Sequence, residues 1–114
     1  MDDCIFCKII KGEIPSKKIY EDEDVLAFYD ISPESPVHFL VIPKEHIESV
    51  NELNKGNSRI ISHIFLVINK IVNDLGISET GYRIVNNTGR EGGQTVNHMH
   101  FHVLGGRSLQ WPPG

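Results

Sequence analysis

The chain has 114 residues, of which 39% are hydrophobic and 23% are charged, and its formal net charge at pH 7 is −4. These values predict one globular domain over residues 1–114, and the lack of a basic cluster argues against nucleic-acid binding. No apolar run approaches the roughly 20 residues that span a bilayer, and the acidic start is unlike a secretion signal, so we expect a cytoplasmic protein with no nucleic-acid or membrane partner.

The first part of the chain predicts a short helix and a hairpin. Residues 3–11 are expected to form the helix, with Asp2 or Asp3 as its N-cap. Residues 18–21 and 25–30 have the composition of two strands joined by an acidic turn.

A buried strand and a long helix follow. Residues 38–42 read HFLVI and predict the strand, and residues 44–53 predict a helical turn or short helix. Residues 57–75 place apolar side chains at helical spacing, with Asn57 or Ser58 able to cap the start.

The last part predicts two more strands around a glycine-rich loop. Residues 82–87 form the first of these strands, TGREGG at 88–93 is the loop, and the second strand lies within 94–106. The order of elements predicts an α+β domain with a mostly antiparallel sheet of about five strands and one long helix packed on it. A symmetric dimer is one way to cover the edges of such a sheet.

Three histidines lie two residues apart in the last predicted strand. Because strand side chains alternate between faces, His98, His100 and His102 should share one face, about 6.6 Å apart. Met99 and Phe101 should then point into the core on the other face. A solvated strand face rich in histidine is the alternative, but half of the six histidines fall within five residues, which indicates a site.

The glycine loop just before this strand can bind an anion. Backbone N–H groups of Gly92 and Gly93 could approach a phosphate without interference from a Cβ atom. The Thr95 hydroxyl and the Asn87 amide would add polar contacts. The same sequence is also compatible with a flexible hairpin turn.

Clustered imidazoles beside amide donors suit two-step phosphoryl or nucleotidyl transfer. An imidazole with its ordinary pKa of about 6.5 is largely neutral at pH 7 and is therefore nucleophilic. A second histidine can bind or protonate the oxygens that gain charge. The rival interpretation is metal chelation, because His-x-His on a strand is also a zinc-ligand arrangement.

A Cys-x-x-Cys pair near the start of the chain suggests a second site. Cys4 and Cys7 would need two further ligands to hold zinc, and the candidates are His46, His63 and His98. His63 is equally well explained as a partly buried structural histidine on the long helix. The pair could also be two reduced cysteines without a role or a redox pair.

The residues around the histidines resemble a known family. NHMHFHVL matches the His-x-His-x-His-x-x signature of the histidine-triad (HIT) superfamily, and the chain most resembles its Hint branch of nucleotide-binding phosphoramidases. The resemblance extends through IFCKIIKGEIPSK, LAFYDISPESPVHFLVIPKEHI, GYRIVNNTGREGGQTV and HVLGGRSLQWPPG. It implies the HIT fold, a homodimer with one continuous sheet, and hydrolysis of nucleoside 5′-phosphoramidates to AMP or GMP and an amine.

The resemblance also implies roles for single residues. His100 would be the nucleophile that forms a nucleotidyl-histidine intermediate, and the backbone carbonyl of His98 would orient its ring. His102 would contact the phosphate and assist the leaving group, His38 would support the triad, and Thr95 would belong to the catalytic set. The nucleotide-binding residues implied are Asp30 and Ile31 at the ribose and base, Asn87, Gly93, Gln94, Thr95, His100 and His102 at the phosphate, and Phe6, Ile9 and Phe28 around the base.

Relatives that begin with Cys-x-x-Cys resemble this chain and hold structural zinc. The resemblance implies that Cys4, Cys7, His46 and His98 are the zinc ligands, with no catalytic metal or organic cofactor. Thr95 departs from the family pattern, in which Ser is common, so its methyl group narrows the leaving-group side. The tail, residues 108–114, would reach the partner's active site.

Two other functions are compatible with the same residues. The first is a purine nucleotide-binding regulatory module with vestigial hydrolysis. The second is a zinc-dependent hydrolase that uses the triad as metal ligands.

Overall fold

The computed structural model describes residues 3–114, and over this range the chain forms a sheet with a helix on each face. In chain order the elements are α1 (Ile5–Ile10), β1 (Lys18–Glu21), β2 (Val25–Tyr29), β3 (Val37–Pro43), a 3₁₀ turn (Val50–Glu52), α2 (Arg59–Asp74), β4 (Tyr82–Asn86) and β5 (Phe101–Gly105). The predicted α+β class is confirmed.

The sheet has the strand order β1-β2-β3-β5-β4, and every neighbouring pair is antiparallel. The last strand, β5, therefore lies between β3 and β4. This topology places the histidine segment in the interior of the sheet, beside a strand from the first half of the chain.

Alternation of side chains divides the core into two parts. On one face, α2 packs against residues such as Ala27, Val41 and Val103. On the other face, α1 packs through Phe6 and Ile9, and the sheet contributes Leu26, Phe28, Leu40 and Ile42. Burial of each large apolar side chain contributes about 1.5–3 kcal/mol to the stability of the fold. Each helix is therefore held on the sheet by the apolar side chains that the strands present to it.

The long helix follows its sequence prediction closely. Its buried residues are Ile64, Val67, Ile68, Ile71 and Val72. Gly76 follows the helix with φ +74°, the left-handed conformation that suits a glycine at a helix end. Ser58 is the N-cap residue but its side chain makes no capping hydrogen bond. None of the helices in residues 3–114 is long and apolar enough to cross a bilayer.

Two elements differ from the sequence predictions. Helix α1 begins at Ile5, and its N-cap is Cys4, whose Sγ accepts a hydrogen bond from the Cys7 N–H. The proposed capping role of Asp2 lies outside the described residues, and Asp3 is not the cap. Of the predicted helical stretch 44–53, only the short 3₁₀ turn is helical.

The histidine strand is shorter than predicted, because β5 begins only at Phe101. Its alternation nevertheless extends upstream: Met99 lies in the core under α2, in the same cluster as Phe101. His98 and His100 face the other way, toward Phe6 of α1. Side chains from His98 to His102 thus alternate between the two faces of the sheet, although the strand pairing begins only at Phe101.

Candidate functional site

The candidate active site lies on the α1 face of the sheet, next to the part that α1 covers. In the β3–β5 pairing Leu40 is opposite His102, so His38, two residues before Leu40, is the diagonal neighbour of His102 on the same face. Rings of His100 and His102 are 5.1 Å apart between centroids. Strand register therefore brings three imidazoles from two distant segments together.

The ring of His100 is oriented by the preceding histidine. Its Nδ1 lies 2.7 Å from the backbone oxygen of His98, so Nδ1 carries the proton and donates it to that carbonyl. In the neutral ring Nε2 is then the nitrogen with a free lone pair. Burial lowers the pKa of His100, which is 4% exposed, and so favours this neutral, nucleophilic form.

The other two histidines form a hydrogen-bonded chain whose protons can be assigned. Nδ1 of His38 accepts the Glu34 N–H at 3.1 Å, so His38 carries its proton on Nε2. That Nε2 lies 2.9 Å from Nδ1 of His102 and 3.5 Å from a carboxylate oxygen of Asp30. His102 accepts at Nδ1 and consequently keeps its own proton on Nε2.

Electrostatics keep His102 neutral. Burial lowers the pKa of His102 to about 4, and the neighbouring rings of His100 and His38 act in the same direction. Asp30 acts in the opposite direction. At neutral pH the site therefore pairs a bare nitrogen on His100 with an N–H donor on His102.

The distances in this cluster favour hydrogen bonding over chelation. Asp30, His38 and His102 lie close enough for a metal ion to be considered. Two nitrogens on one tetrahedral zinc ion are about 3.3 Å apart, whereas those of His38 and His102 are 2.9 Å apart, a hydrogen-bond distance.

A second cluster lies on the far side of His98 and brings together the predicted metal ligands. Ligand atoms of Cys4, Cys7, His46 and His98 all lie within 4.8 Å of one another. Cys4 and Cys7 are one helical turn apart at the start of α1, and His46 follows β3.

The donor set fits a tetrahedral zinc ion. Sγ of Cys4 and Nδ1 of His98 are 3.3 Å apart, and Sγ of Cys7 lies 3.3 Å from Nδ1 of His46 and 3.7 Å from Nδ1 of His98. Sulfur and nitrogen ligands on one zinc ion are about 3.6 Å apart. Nε2 of His98 donates to the Pro43 carbonyl at 2.8 Å, which leaves Nδ1 free to bind metal. Burial lowers the pKa of His98 to about 4, so this ring is neutral, as a ligand must be.

His63 is not part of this cluster. Its Nε2 lies 2.7 Å from a carboxylate oxygen of Asp22, in the β1–β2 turn. Although partial burial acts to raise it, hydrogen bonds from the Asp24 N–H, His63 and Tyr20 lower the pKa of Asp22 to about 2. His63 thus joins α2 to the hairpin, and its partial burial agrees with the interpretation as a structural histidine.

Comparison with known proteins identifies the family. The model of the HIT domain matches residues 11–109. The chain belongs to the HIT family. It is 50% identical, over 113 residues, to a HIT-like protein of the cyanobacterium Synechococcus elongatus, a match that covers 99% of this chain and 98% of that protein.

Solved structures of other HIT proteins share the fold throughout. A HIT family hydrolase from Legionella pneumophila is 47% identical with a TM-score of 0.96, and the match covers 98% of this chain and 100% of that one. A histidine triad protein from Clostridium difficile is 51% identical with a TM-score of 0.94, covering 96% of each chain.

An open cleft adjoins the triad of this HIT domain. It has a volume of about 660 Å³ and is lined by Pro15, Ser16, Lys17, Tyr29, Asp30, Ile31, Pro33, Pro36 and His38. Ile31 is 97% exposed, so its apolar side chain is available to a ligand. Asp30 is held by the Ser32 N–H at 2.8 Å through one oxygen, and its other oxygen faces His38.

The three residues predicted to surround the base are buried in the core and expose little surface to a ligand. Phe6, Ile9 and Phe28 are each at most 7% exposed. Phe6 lies edge-on to His100 at 5.1 Å and to Phe28 at 5.7 Å, so the group lies beside the nucleophile. Its contact with a base stays a prediction.

The glycine loop is ordered by its own hydrogen bonds. The Gly93 N–H, one of the two glycine amides predicted to approach a phosphate, donates to the Arg90 carbonyl, and the neighbouring Gln94 N–H donates to the Gly89 carbonyl. The Gln94 side chain donates to the Glu48 and Val96 carbonyls. The predicted anion cradle is therefore not open at the Gly93 amide.

The remaining predicted contacts lie at the edge of this loop. Thr95 is exposed and lines a smaller cavity of about 360 Å³ with Cys4, His46 and neighbouring residues. Asn87 is half-buried, directly after β4. Their contacts with a phosphate stay predictions.

One contact at this site was not predicted from the sequence. Nδ2 of Asn86, the residue before the predicted Asn87, donates to the backbone oxygen of His100 at 3.0 Å. The contact depends on the register of β4 and β5, in which Asn86 is opposite Phe101. The sequence alone does not give this register.

Proposed function

We propose that this HIT protein hydrolyses nucleoside 5′-phosphoramidates to a nucleoside monophosphate and an amine. The observation that carries the proposal is the state of His100: Nδ1 is engaged by the His98 carbonyl, and Nε2 is left bare beside an N–H donor on His102. A neutral imidazole held in this way is a nucleophile for phosphorus. The name of the Legionella relative, a HIT family hydrolase, agrees with this class of reaction.

The reaction would proceed in two displacements. In the first, Nε2 of His100 bonds to phosphorus, the P–N bond breaks, and the amine leaves with a proton from solvent. In the second, a water oxygen bonds to phosphorus, the bond to His100 breaks, and the water proton returns to solvent. The Nε2–H of His102 would donate to phosphoryl oxygens as they gain charge.

The nucleoside would lie in the cleft next to the triad. Asp30 and Ile31 line this cleft, one with a carboxylate that can accept from ribose hydroxyls and the other with an exposed apolar side chain. We propose a purine nucleotide such as AMP or GMP as the bound product. The methyl group of Thr95 is expected to restrict bulky amines.

We also propose a structural zinc ion at Cys4, Cys7, His46 and His98. All four donors would be used, so no position would be left for substrate. The ion would hold α1, and with it Phe6, against the histidine segment. Such a site needs reduced thiols, which agrees with a cytoplasmic location.

A homodimer is the proposed assembly. On α2, Phe65 is 44% exposed and Leu66 68% exposed, and Tyr82 at the start of the edge strand β4 is 39% exposed. A second copy could cover these apolar side chains and pair with the free edge of β4. The exposed Trp111 in the tail could then contact the partner.

The test is turnover of an adenosine 5′-phosphoramidate whose aromatic amine fluoresces on release. We expect turnover by the native protein and a loss of at least about 10³-fold in His100→Ala, with unchanged thermal melting. His63→Ala is the matched control, because His63 lies outside the site, and it should retain activity. Mass spectrometry of rapidly mixed protein should show an AMP adduct on His100.

Three outcomes would contradict the proposal. Tight AMP binding with negligible turnover across several phosphoramidates would indicate a regulatory nucleotide-binding module. Turnover that survives in His100→Ala would exclude a covalent intermediate on that residue. Complete loss of turnover when metal is removed from a protein that stays folded would favour a zinc-dependent hydrolase.

A further inference from the structure

The side chain of Asn86 makes a hydrogen bond just beyond the point where the backbone pairing of β4 with β5 ends. Asn86 is the last residue of β4 and pairs with Phe101, the first residue of β5. Beyond this pair the chain leaves the sheet for the glycine loop, so the strand ladder stops one residue short of His100. The amide Nδ2 of Asn86 reaches past the end of the ladder and donates to the His100 carbonyl at 3.0 Å.

The His100 carbonyl, which can only accept, determines the direction of the Asn86 amide, and this amide makes a second contact through its oxygen. Its Oδ1 accepts a hydrogen bond from the Thr88 hydroxyl at 3.2 Å. A flipped amide would place Oδ1 against the His100 carbonyl, two acceptors facing each other. Thr88 is itself held in a tight turn, since a Cβ atom on Gly92 would lie 2.4 Å from the Thr88 carbonyl oxygen.

The backbone around the nucleophile is thus held from two sides. On one side, the Met99 N–H donates to the Ile47 carbonyl at 2.7 Å. On the other side, the Asn86 amide holds the His100 carbonyl. The His98 carbonyl orients the ring, whereas these two contacts hold the backbone to which the ring is attached.

We infer that Asn86 is a positioning residue for His100, which links the glycine loop to the backbone of the nucleophile. The inference rests on the proposed function for its effect on rate. The position of the His100 backbone can be tested without any measurement of rate. Because a displacement of about 1 Å can reduce a rate about 100-fold, loss of this contact should be expressed in kcat and leave substrate binding nearly unchanged.

The test compares Asn86→Asp with Asn73→Asp. Aspartate has the shape of asparagine, but when ionised it cannot donate, and it repels the His100 carbonyl. We expect kcat for the phosphoramidate to fall about 10- to 100-fold in Asn86→Asp with KM within about threefold. Asn73 is exposed on α2 and its side-chain amide donates to Asn69, so Asn73→Asp introduces the same charge away from the site and should leave kcat within about twofold.

A milder variant covers the case in which Asn86→Asp fails to fold. Thr88→Val removes the partner of Oδ1 while keeping the side-chain shape, and it should lower kcat less, with KM unchanged. Thr88→Ser keeps the hydroxyl and should restore the native kcat. This rescue would not be expected if Thr88 mattered only for packing.

Nuclear magnetic resonance supplies a readout that does not depend on turnover. The native protein should show a scalar coupling across the hydrogen bond between Nδ2 of Asn86 and the carbonyl carbon of His100. The ring nitrogen shifts of His100 should change in Asn86→Asp and Thr88→Val but not in Asn73→Asp. If the native protein has no turnover, the proposed function fails, and these shifts alone decide the inference.

Two results would overturn the inference. The first is a native kcat in Asn86→Asp, or unchanged His100 ring shifts in both variants. The second is a rise in KM at constant kcat, which would make Asn86 a substrate contact and exclude a positioning role.

Discussion

The backbone oxygen of His98 lies 2.7 Å from Nδ1 of His100, while the side-chain Nδ1 of His98 lies 3.3 Å from Sγ of Cys4. One residue therefore belongs to both clusters. Its ring is directed toward the metal ligands and its carbonyl toward the nucleophile. A change in the metal cluster can reach His100 through a single residue, and the first prediction follows from this.

Substitution of Cys4 by Ser should release bound metal and lower stability. We expect the native protein to contain about one zinc ion per chain, and Cys4→Ser to lose it with a fall of several degrees in Tm, because metal binding contributes to folding. Turnover should fall less than in His100→Ala. Elemental analysis measures the zinc content, with His63→Asn as the control that keeps all four ligands, and calorimetry measures the Tm. A native protein without zinc whose melting is unchanged by a chelator would contradict the prediction.

His38 should act through its Nε2–H. Glutamine can place an amide N–H near that position, whereas leucine fills the volume without a donor. We expect His38→Leu to lower kcat about 100-fold. His38→Gln should keep most of the activity that His38→Leu loses, because an N–H donor still faces Nδ1 of His102. Steady-state kinetics on the phosphoramidate measure the difference. Equal losses of kcat in the two variants would show that His38, which is 5% exposed, serves only for packing.

His102 should make stability depend on pH in a defined direction. Burial lowers its pKa to about 4 in the folded protein, from 6.5, so below pH 6.5 the unfolded chain binds a proton that the folded chain does not. The contribution is complete above pH 6.5 and is lost as the pH falls toward 4. The free energy of unfolding should therefore decrease between pH 7 and pH 5 by more in the native protein than in His102→Asn.

Urea unfolding of both proteins at the two pH values measures this difference. Loss of metal in acid affects both proteins alike, so the comparison isolates position 102. A native protein and variant with parallel pH dependence would show that His102 is not held neutral by burial.

The proposed dimer predicts the effect of a charge on α2. Leu66→Glu should convert a dimer into monomers, because it places a charge in an apolar surface that a second copy would cover. Lys11→Glu introduces the same side chain at an exposed residue at the end of α1, on the opposite face of the sheet, and this control should remain dimeric. Light scattering coupled to gel filtration measures both masses. A native protein that runs as a monomer at micromolar concentration would refute the dimer.

Local patterns were enough to predict most elements of the fold. The apolar spacing in 57–75 located α2, since a helix must bury one stripe of side chains. The alternation of side chains along the histidine segment correctly assigned Met99 and Phe101 to the core face, because the period of two does not depend on which strand is the neighbour. The Cys-x-x-Cys spacing and the histidine row likewise made Cys4 and His98 candidates before any contact was known.

The tertiary structure decided which groups meet and which proton each ring holds. The diagonal contact of His38 with His102 exists only because β5 inserts beside β3, 64 residues away in sequence. Of the two glycine amides predicted to approach a phosphate, that of Gly93 is paired within the loop, and the amide that holds the nucleophile belongs to Asn86. Short-range patterns determine local conformation and the face of each side chain, whereas register, burial and hydrogen-bond partners depend on segments that are far apart in the chain.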